Sequence, residues 1–160
     1  MGRVAGKIAI VTGGGTGIGR AAATRLAEEG AIVTIAEFDA ANGQAVAEEL
    51  GGDAAFVEHD VREEASWQNL MKSVADRHGR PDILVNNAGI LATNNNQELA
   101  VTDLEQWRAV QQVNVEGVFL GCKYGVDAMI ANGGRAKGGA GGGAIVNMSS
   151  IAGLVATAHL

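Results

Sequence analysis

The stretch Thr12-Gly13-Gly14-Gly15-Thr16-Gly17-Ile18-Gly19 has the residue types that suit an anion. Glycines permit a tight turn and let the backbone come close to a pyrophosphate. The apolar run Lys7 to Thr12 reads as a buried strand, and Ile18 to Glu29 as a helix with apolar positions at Ile18, Ala22 and Leu26. The glycines thus sit where a strand passes into a helix N-terminus. Its first N–H groups are unpaired and its dipole end is positive, which together make an anion cradle. A turn that merely packs also uses glycine and stays open as the alternative. No Gly-Lys-Ser/Thr follows, which argues against a P-loop kinase or hydrolase.

Further polar residues fall at the ends of later strands. Glu37 lies about twenty residues beyond the loop, where a carboxylate accepts hydrogen bonds from adenosine ribose hydroxyls and repels a 2′-phosphate. It favours NAD over NADP, with Asp39 as the rival for the role. Asp60 follows the third strand and could accept from an adenine amino group, or cap the next helix. Asn87-Ala88-Gly89 puts small residues at the same edge, as a plain turn also would. Asn114 is an uncharged polar residue in an apolar helical stretch, where asparagine is disfavoured. It has either a specific role or a satisfied buried amide. Ser149 and Ser150 follow the fifth strand and could be ordinary turn serines. His59, His78 and His159 have no metal or triad spacing with Cys122, so no metal site is expected.

The elements that position these residues alternate. Strands are expected at Lys7 to Thr12, Ala31 to Ala36, Ala54 to Glu58, Ile83 to Val85 and Ala144 to Met148. Helices are expected at Ile18 to Glu29, from the Asp39 cap to Leu50, at Glu63 to His78, and at Thr102 to Ile130 with an early break. Such alternation implies parallel strands covered on both faces, a doubly wound α/β sheet of the Rossmann type. Gly133 to Gly143 reads as a flexible glycine-rich loop. The 160 residues suffice for one domain, and neither a repeat nor a second domain is visible.

Composition narrows the function classes. The chain is 47% hydrophobic, with a mean hydropathy of +0.10, and no apolar run reaches a membrane span. There is no signal-type stretch, and a single cysteine suits a reducing compartment, so a cytoplasmic location is expected. A net charge of -6 without a basic cluster argues against nucleic acid as a partner.

The pattern Thr-Gly-x-x-x-Gly-x-Gly at Thr12 to Gly19 resembles the classical short-chain dehydrogenase/reductase family. Four segments extend the resemblance in the right order, from about Gly6 to the chain end. They are His59-Asp60-Val61, Asn86-Asn87-Ala88-Gly89, Val113-Asn114-Val115 and Ile145-Val146-Asn147-Met148-Ser149-Ser150. The resemblance implies NAD(H)-dependent hydride transfer between nicotinamide and a secondary alcohol or ketone, with 3-oxoacyl, hydroxysteroid and small-alcohol substrates all open. It implies catalytic roles for Ser150, which orients the carbonyl or hydroxyl, and for Asn114, whose helix backbone helps hold a proton-relay water. Cofactor binding then falls to Gly13, Gly15, Thr16, Gly17, Ile18 and Gly19, to Glu37, Asp60 and Val61, and to Asn87, Ala88 and Gly89. Relatives of full length are expected as homodimers or homotetramers.

The family's tyrosine, the general acid/base, lies about a dozen residues after the serine, with a lysine four further on. Both positions fall beyond Leu160, and Tyr124, the only tyrosine, has Ala128 rather than lysine four residues on. Tyr124 reads as an exposed or interface aromatic. The expectation is therefore a Rossmann domain truncated after its fifth strand. That strand would be an unprotected edge, and this form would be aggregation-prone with doubtful activity. The alternative is a non-catalytic dinucleotide-binding module or inactive fragment.

Overall fold

The computed structural model describes residues 2–91, 102–131 and 142–155. Five strands, β1 (Ile8–Thr12), β2 (Ile32–Glu37), β3 (Ala55–Glu58), β4 (Ile83–Asn86) and β5 (Ala144–Asn147), form one parallel sheet in the order β3-β2-β1-β4-β5. The helices are α1 (Gly17–Glu28), α2 (Ala40–Leu50), α3 (Glu64–His78), α4 (Leu104–Gln111) and α5 (Gly117–Ala131), with a 3-10 turn at Ile151–Gly153. The chain winds outward from β1 to β3, then returns to the other side of β1. Loops after β1 and β4 therefore meet at a topological switch point, where sheets of this kind bind ligands.

Successive strand residues point to opposite faces, so β1 feeds two cores. Ile10 packs with Trp67, Leu70, Val74, Leu84 and Leu120 beneath α3 and α5. Ala9 and Val11 pack with Ala23, Val33, Ile35 and Val46 beneath α1 and α2. Trp67 is fully buried, and its indole N–H donates to the Val61 carbonyl at 2.8 Å, so the loop after β3 is pinned to the core.

The buried face of α1 is Gly19 and Ala23, one position later than the apolar spacing suggests. Ile18 is 67% exposed because it lies in the first turn, facing the loop's cavity instead of the sheet. The expected early break in the long helix is a π turn, Gln112–Glu116, between α4 and α5. Among the described residues β5 is one edge of the sheet and β3 the other, and Val146 and Met148, on and after β5, are exposed. Tyr124 is half-buried, not free on the surface: it packs against the α3–α5 core, and its hydroxyl donates to Glu64 Oε2 at 2.9 Å. The Gly133–Gly143 loop, except Gly142 and Gly143, and His159 lie outside the described residues. No helix among the described residues is long and apolar enough to cross a membrane, and no group of three or more His, Cys, Asp or Glu there could hold a metal ion.

Candidate functional site

The site begins at Thr12, the last residue of β1, which is 1% exposed. Its hydroxyl donates to the Val85 carbonyl (3.3 Å) and accepts from the amides of Asn87 (3.0 Å) and Ala88 (3.1 Å). The Asn87 side chain returns the connection, donating to the carbonyls of Thr12 (3.0 Å) and Gly13 (3.1 Å). One hydroxyl and one amide thus lock the β4 turn onto the glycine loop. Gly19 lies beneath that lock. A Cβ there would stand 2.1 Å from the Gly13 carbonyl oxygen and 2.4 Å from Asn87 Nδ2.

The loop is tied sideways as well. Gly15 N–H donates to Glu37 Oε2 at 2.9 Å, while the amides of Phe38 (2.9 Å) and Asp39 (3.2 Å) donate to Oε1. Asp39, the rival carboxylate, accepts from Asn42 N at 3.1 Å as the N-cap of α2. Glu37 faces the cavity; Asp39 does not line it.

That cavity, of about 500 Å³, opens at the carboxyl edge of the sheet. The loop after β1 contributes Gly13, Thr16, Gly17 and Ile18; β2 ends in Glu37 and Phe38; the segment after β3 brings His59, Asp60, Val61 and Arg62. Asn87, Ala88, Gly89 and Ile90 close the β4 side, with Val113 above. The sequence-singled residues therefore converge, with Gly15 and Gly19 standing behind the wall and shaping it. Helix α1 starts at Thr16 without a side-chain cap and without an acidic residue in its first turn. Gly17, at φ +51°, would leave any added Cβ in open space. An uncapped helix start open to a cavity, beside a carboxylate that faces it, fits the diphosphate and ribose of a dinucleotide.

Asp60 is held by Arg62 in a two-toothed ion pair, Nη2 to Oδ2 at 2.6 Å and Nε to Oδ1 at 2.9 Å. The guanidinium holds its carboxyl below the usual carboxylate range. It does not cap α3; Glu63 takes the N-cap position. His59 is 3% exposed, stacked edge-on against Trp67 at 4.4 Å, and hydrogen-bonded through Nδ1 to Ser66 Oγ at 2.8 Å. Burial pushes its pKa down to about 4.

Asn114 lies in the π turn, exposed yet satisfied. Its Nδ2 donates to the Ile90 carbonyl and its Oδ1 accepts from Ile90 N–H, both at 2.9 Å. It fixes the chain that lines the cavity without lining it. Ser150 follows β5 on the exposed side and is not part of the cavity wall. Sequence reasoning missed Phe38 and Arg62. Neither belongs to a motif, and the one available signal was an aromatic and a cation next to candidate carboxylates.

The family model described as "short chain dehydrogenase" matches residues 7–160. A 3-beta-hydroxysteroid dehydrogenase of Comamonas testosteroni is 40% identical over 93% of this chain and 54% of its own length. An NADP-dependent (R)-specific alcohol dehydrogenase of Lentilactobacillus kefiri is 41% identical over 96% of this chain and 58% of its own. A crystal structure of 3-ketoacyl-(acyl-carrier-protein) reductase from Brucella melitensis, complexed with NADH, superposes with a TM-score of 0.84 at 35% identity, over 93% of this chain and 59% of that one. The chain therefore spans somewhat more than half the length of these proteins.

Proposed function

Since the chain belongs to the short-chain dehydrogenase family, we propose that its residues form a single NAD(H)-binding domain serving hydride transfer between nicotinamide and a secondary alcohol or ketone. The observation that carries this reading is the uncapped start of α1, opening onto the same cavity as Glu37. The first-turn amides of α1 hold the diphosphate. Glu37, with Oε1 taken by two backbone amides and Oε2 by one, keeps a lone pair on Oε2 for a ribose hydroxyl. Asn87 to Gly89 line the side nearer the nicotinamide. Asn114 keeps Ile90 in place, and its π turn frees backbone groups of the kind that hold water at functional sites. Ser150 polarises the substrate oxygen. When bound, the nicotinamide ring supplies or takes the hydride. Small alcohols, hydroxysteroids and 3-oxoacyl compounds all suit this chemistry.

Glu37 sets the coenzyme preference. A carboxylate repels each unit of phosphate charge at about 4 Å by roughly 1–4 kcal/mol. NADH is expected to bind at least about tenfold tighter than NADPH, and Glu37→Ala to narrow that gap. Fluorescence titration of both coenzymes checks this; equal affinity in the native chain contradicts it.

A second reading, a binding domain without turnover of its own, is favoured by Tyr124. Its hydroxyl is engaged by Glu64 and Gln68, and it does not line the cavity, so it is no proton donor there. An NADH-dependent reductase assay of this chain beside one extended through a tyrosine and lysine separates the two. Turnover only in the longer chain supports the second reading for these residues.

A further inference from the structure

A second cavity, of about 320 Å³, adjoins the first. Ile90 lines both, so the two share a wall. Asn114 holds the backbone of Ile90 through two hydrogen bonds of 2.9 Å. Gln106, Ala109 and Val110 line the second cavity, and Val113 lines the first. Residues three and four apart share one helix face, so α4 and the π turn that continues it form a track from one space into the other. The lining divides by chemistry. Ala109 and Val110 are half-buried and apolar. The apolar surface continues over Ile90 and Leu91, which are 43% and 78% exposed. Large apolar side chains left in water gain from being covered, in proportion to the area removed from it. Besides Gln106, the polar lining is two exposed carboxylates, Asp103 and Glu105, and none of the described lining residues is basic. Cavities of roughly 300–1,000 Å³ hold drug-sized ligands, and this one falls within that range. A small alcohol would leave most of it empty, and an anion would meet two carboxylates with no cation to offset them.

We propose that the second cavity receives the body of the substrate, and that this substrate is a secondary alcohol or ketone on an extended, uncharged apolar skeleton such as fused rings. This rests on the dinucleotide reading above and names the substrate class within it. Of the three classes that suit the chemistry, it selects the hydroxysteroid type. A small alcohol lacks the surface to cover Ile90 and Leu91. A 3-oxoacyl compound that brings phosphate or carboxylate charge meets an acidic rim, and like charges select against such a partner.

The test is an amide-resolved NMR titration of the full chain saturated with NADH. The probes are cyclohexanol, an uncharged 3-hydroxysteroid, and a 3-hydroxysteroid whose far end bears a carboxylate. NADH and an alcohol cannot exchange a hydride, so binding alone is read. The uncharged steroid is expected to bind at least about tenfold tighter than cyclohexanol and to shift the amides of Leu91, Ala109 and Val110. The carboxylated steroid should bind at least about threefold weaker than the uncharged one, and Glu105→Lys should remove that penalty. Leu91→Ser alters an exposed residue and Ala109→Phe fills the cavity. Each should weaken the uncharged steroid at least about threefold and leave NADH affinity unchanged. A steroid that binds no tighter than cyclohexanol overturns the proposal and leaves the dinucleotide reading intact. So do equal affinities for the two steroids, and so does native steroid affinity in both Leu91→Ser and Ala109→Phe. Native chain that fails to bind NADH overturns both.

Discussion

Thr12→Val is expected to lower the free energy of unfolding by about 2–4 kcal/mol and to weaken NADH binding at least about tenfold. Valine has nearly the same shape, so no cavity opens and the whole effect belongs to the hydroxyl. That hydroxyl serves three partners: the Val85 carbonyl and the amides of Asn87 and Ala88. Removing it leaves two donors and an acceptor beside an apolar methyl, and each uncompensated group costs about 1–3 kcal/mol. The amides lie at the half-buried rim, where water recovers part of the loss, which sets the lower figure. Binding suffers because those amides begin the Asn87–Gly89 turn. Once it drifts, Asn87 no longer holds the Thr12 and Gly13 carbonyls. Thr12→Ser keeps the hydroxyl and should cost only about 1 kcal/mol for the lost methyl. Urea unfolding and NADH titration of the three chains check this. Equal stability of Thr12→Val and the native protein would contradict the lock.

The second large effect is acid sensitivity from His59. Burial holds its imidazole at a pKa of about 4, against 6.5 for an ordinary histidine. Between these values the unfolded chain takes up the proton and the folded chain does not. Stability from this group is therefore complete above pH 6.5, falls as pH drops through the window, and levels off below about 4. A difference of this size corresponds to about 3 kcal/mol. The native state holds the neutral ring against Trp67 and Ser66, where a charge would be desolvated without a carboxylate partner of its own. Asp60, whose carboxyl Arg62 holds low, acts in the same direction but at lower pH, because its contribution is lost only as it protonates. His59→Gln should flatten the stability curve between pH 4.5 and 6.5 relative to the native chain. Parallel curves for the two proteins would show that His59 is not the group responsible.

Local spacing made the sheet and the phosphate end of the site legible. Strand, glycines and helix are contiguous there, and the order of strands and helices dictates a parallel sheet. Asp39 illustrates a partial reading: its capping role was visible, but only the fold shows that capping α2 leaves Glu37 as the carboxylate facing the cavity. Ile18 was counted among the apolar positions of the helix by periodicity and among the cofactor residues by resemblance; the fold places it in the first turn, on the cavity side, and gives the buried face to Gly19 and Ala23. Asn114 carried a signal of misfit in an apolar helix. Its partner, Ile90, is 24 residues away and could not be named without the fold. Arg62 and Phe38 were silent for the same reason, being brought together only by the pairing of β2 with β3.

The account turns on backbone amides at the start of α1 receiving the diphosphate of a nicotinamide coenzyme. An amide-resolved NMR titration of the chain with NADH tests this most directly. Saturable shifts are predicted at Gly17 and Ile18, joined by Glu37 and Ala88 across the same cavity. Binding that leaves Gly17 and Ile18 unmoved while shifting amides elsewhere, or no saturation at millimolar coenzyme, would contradict it.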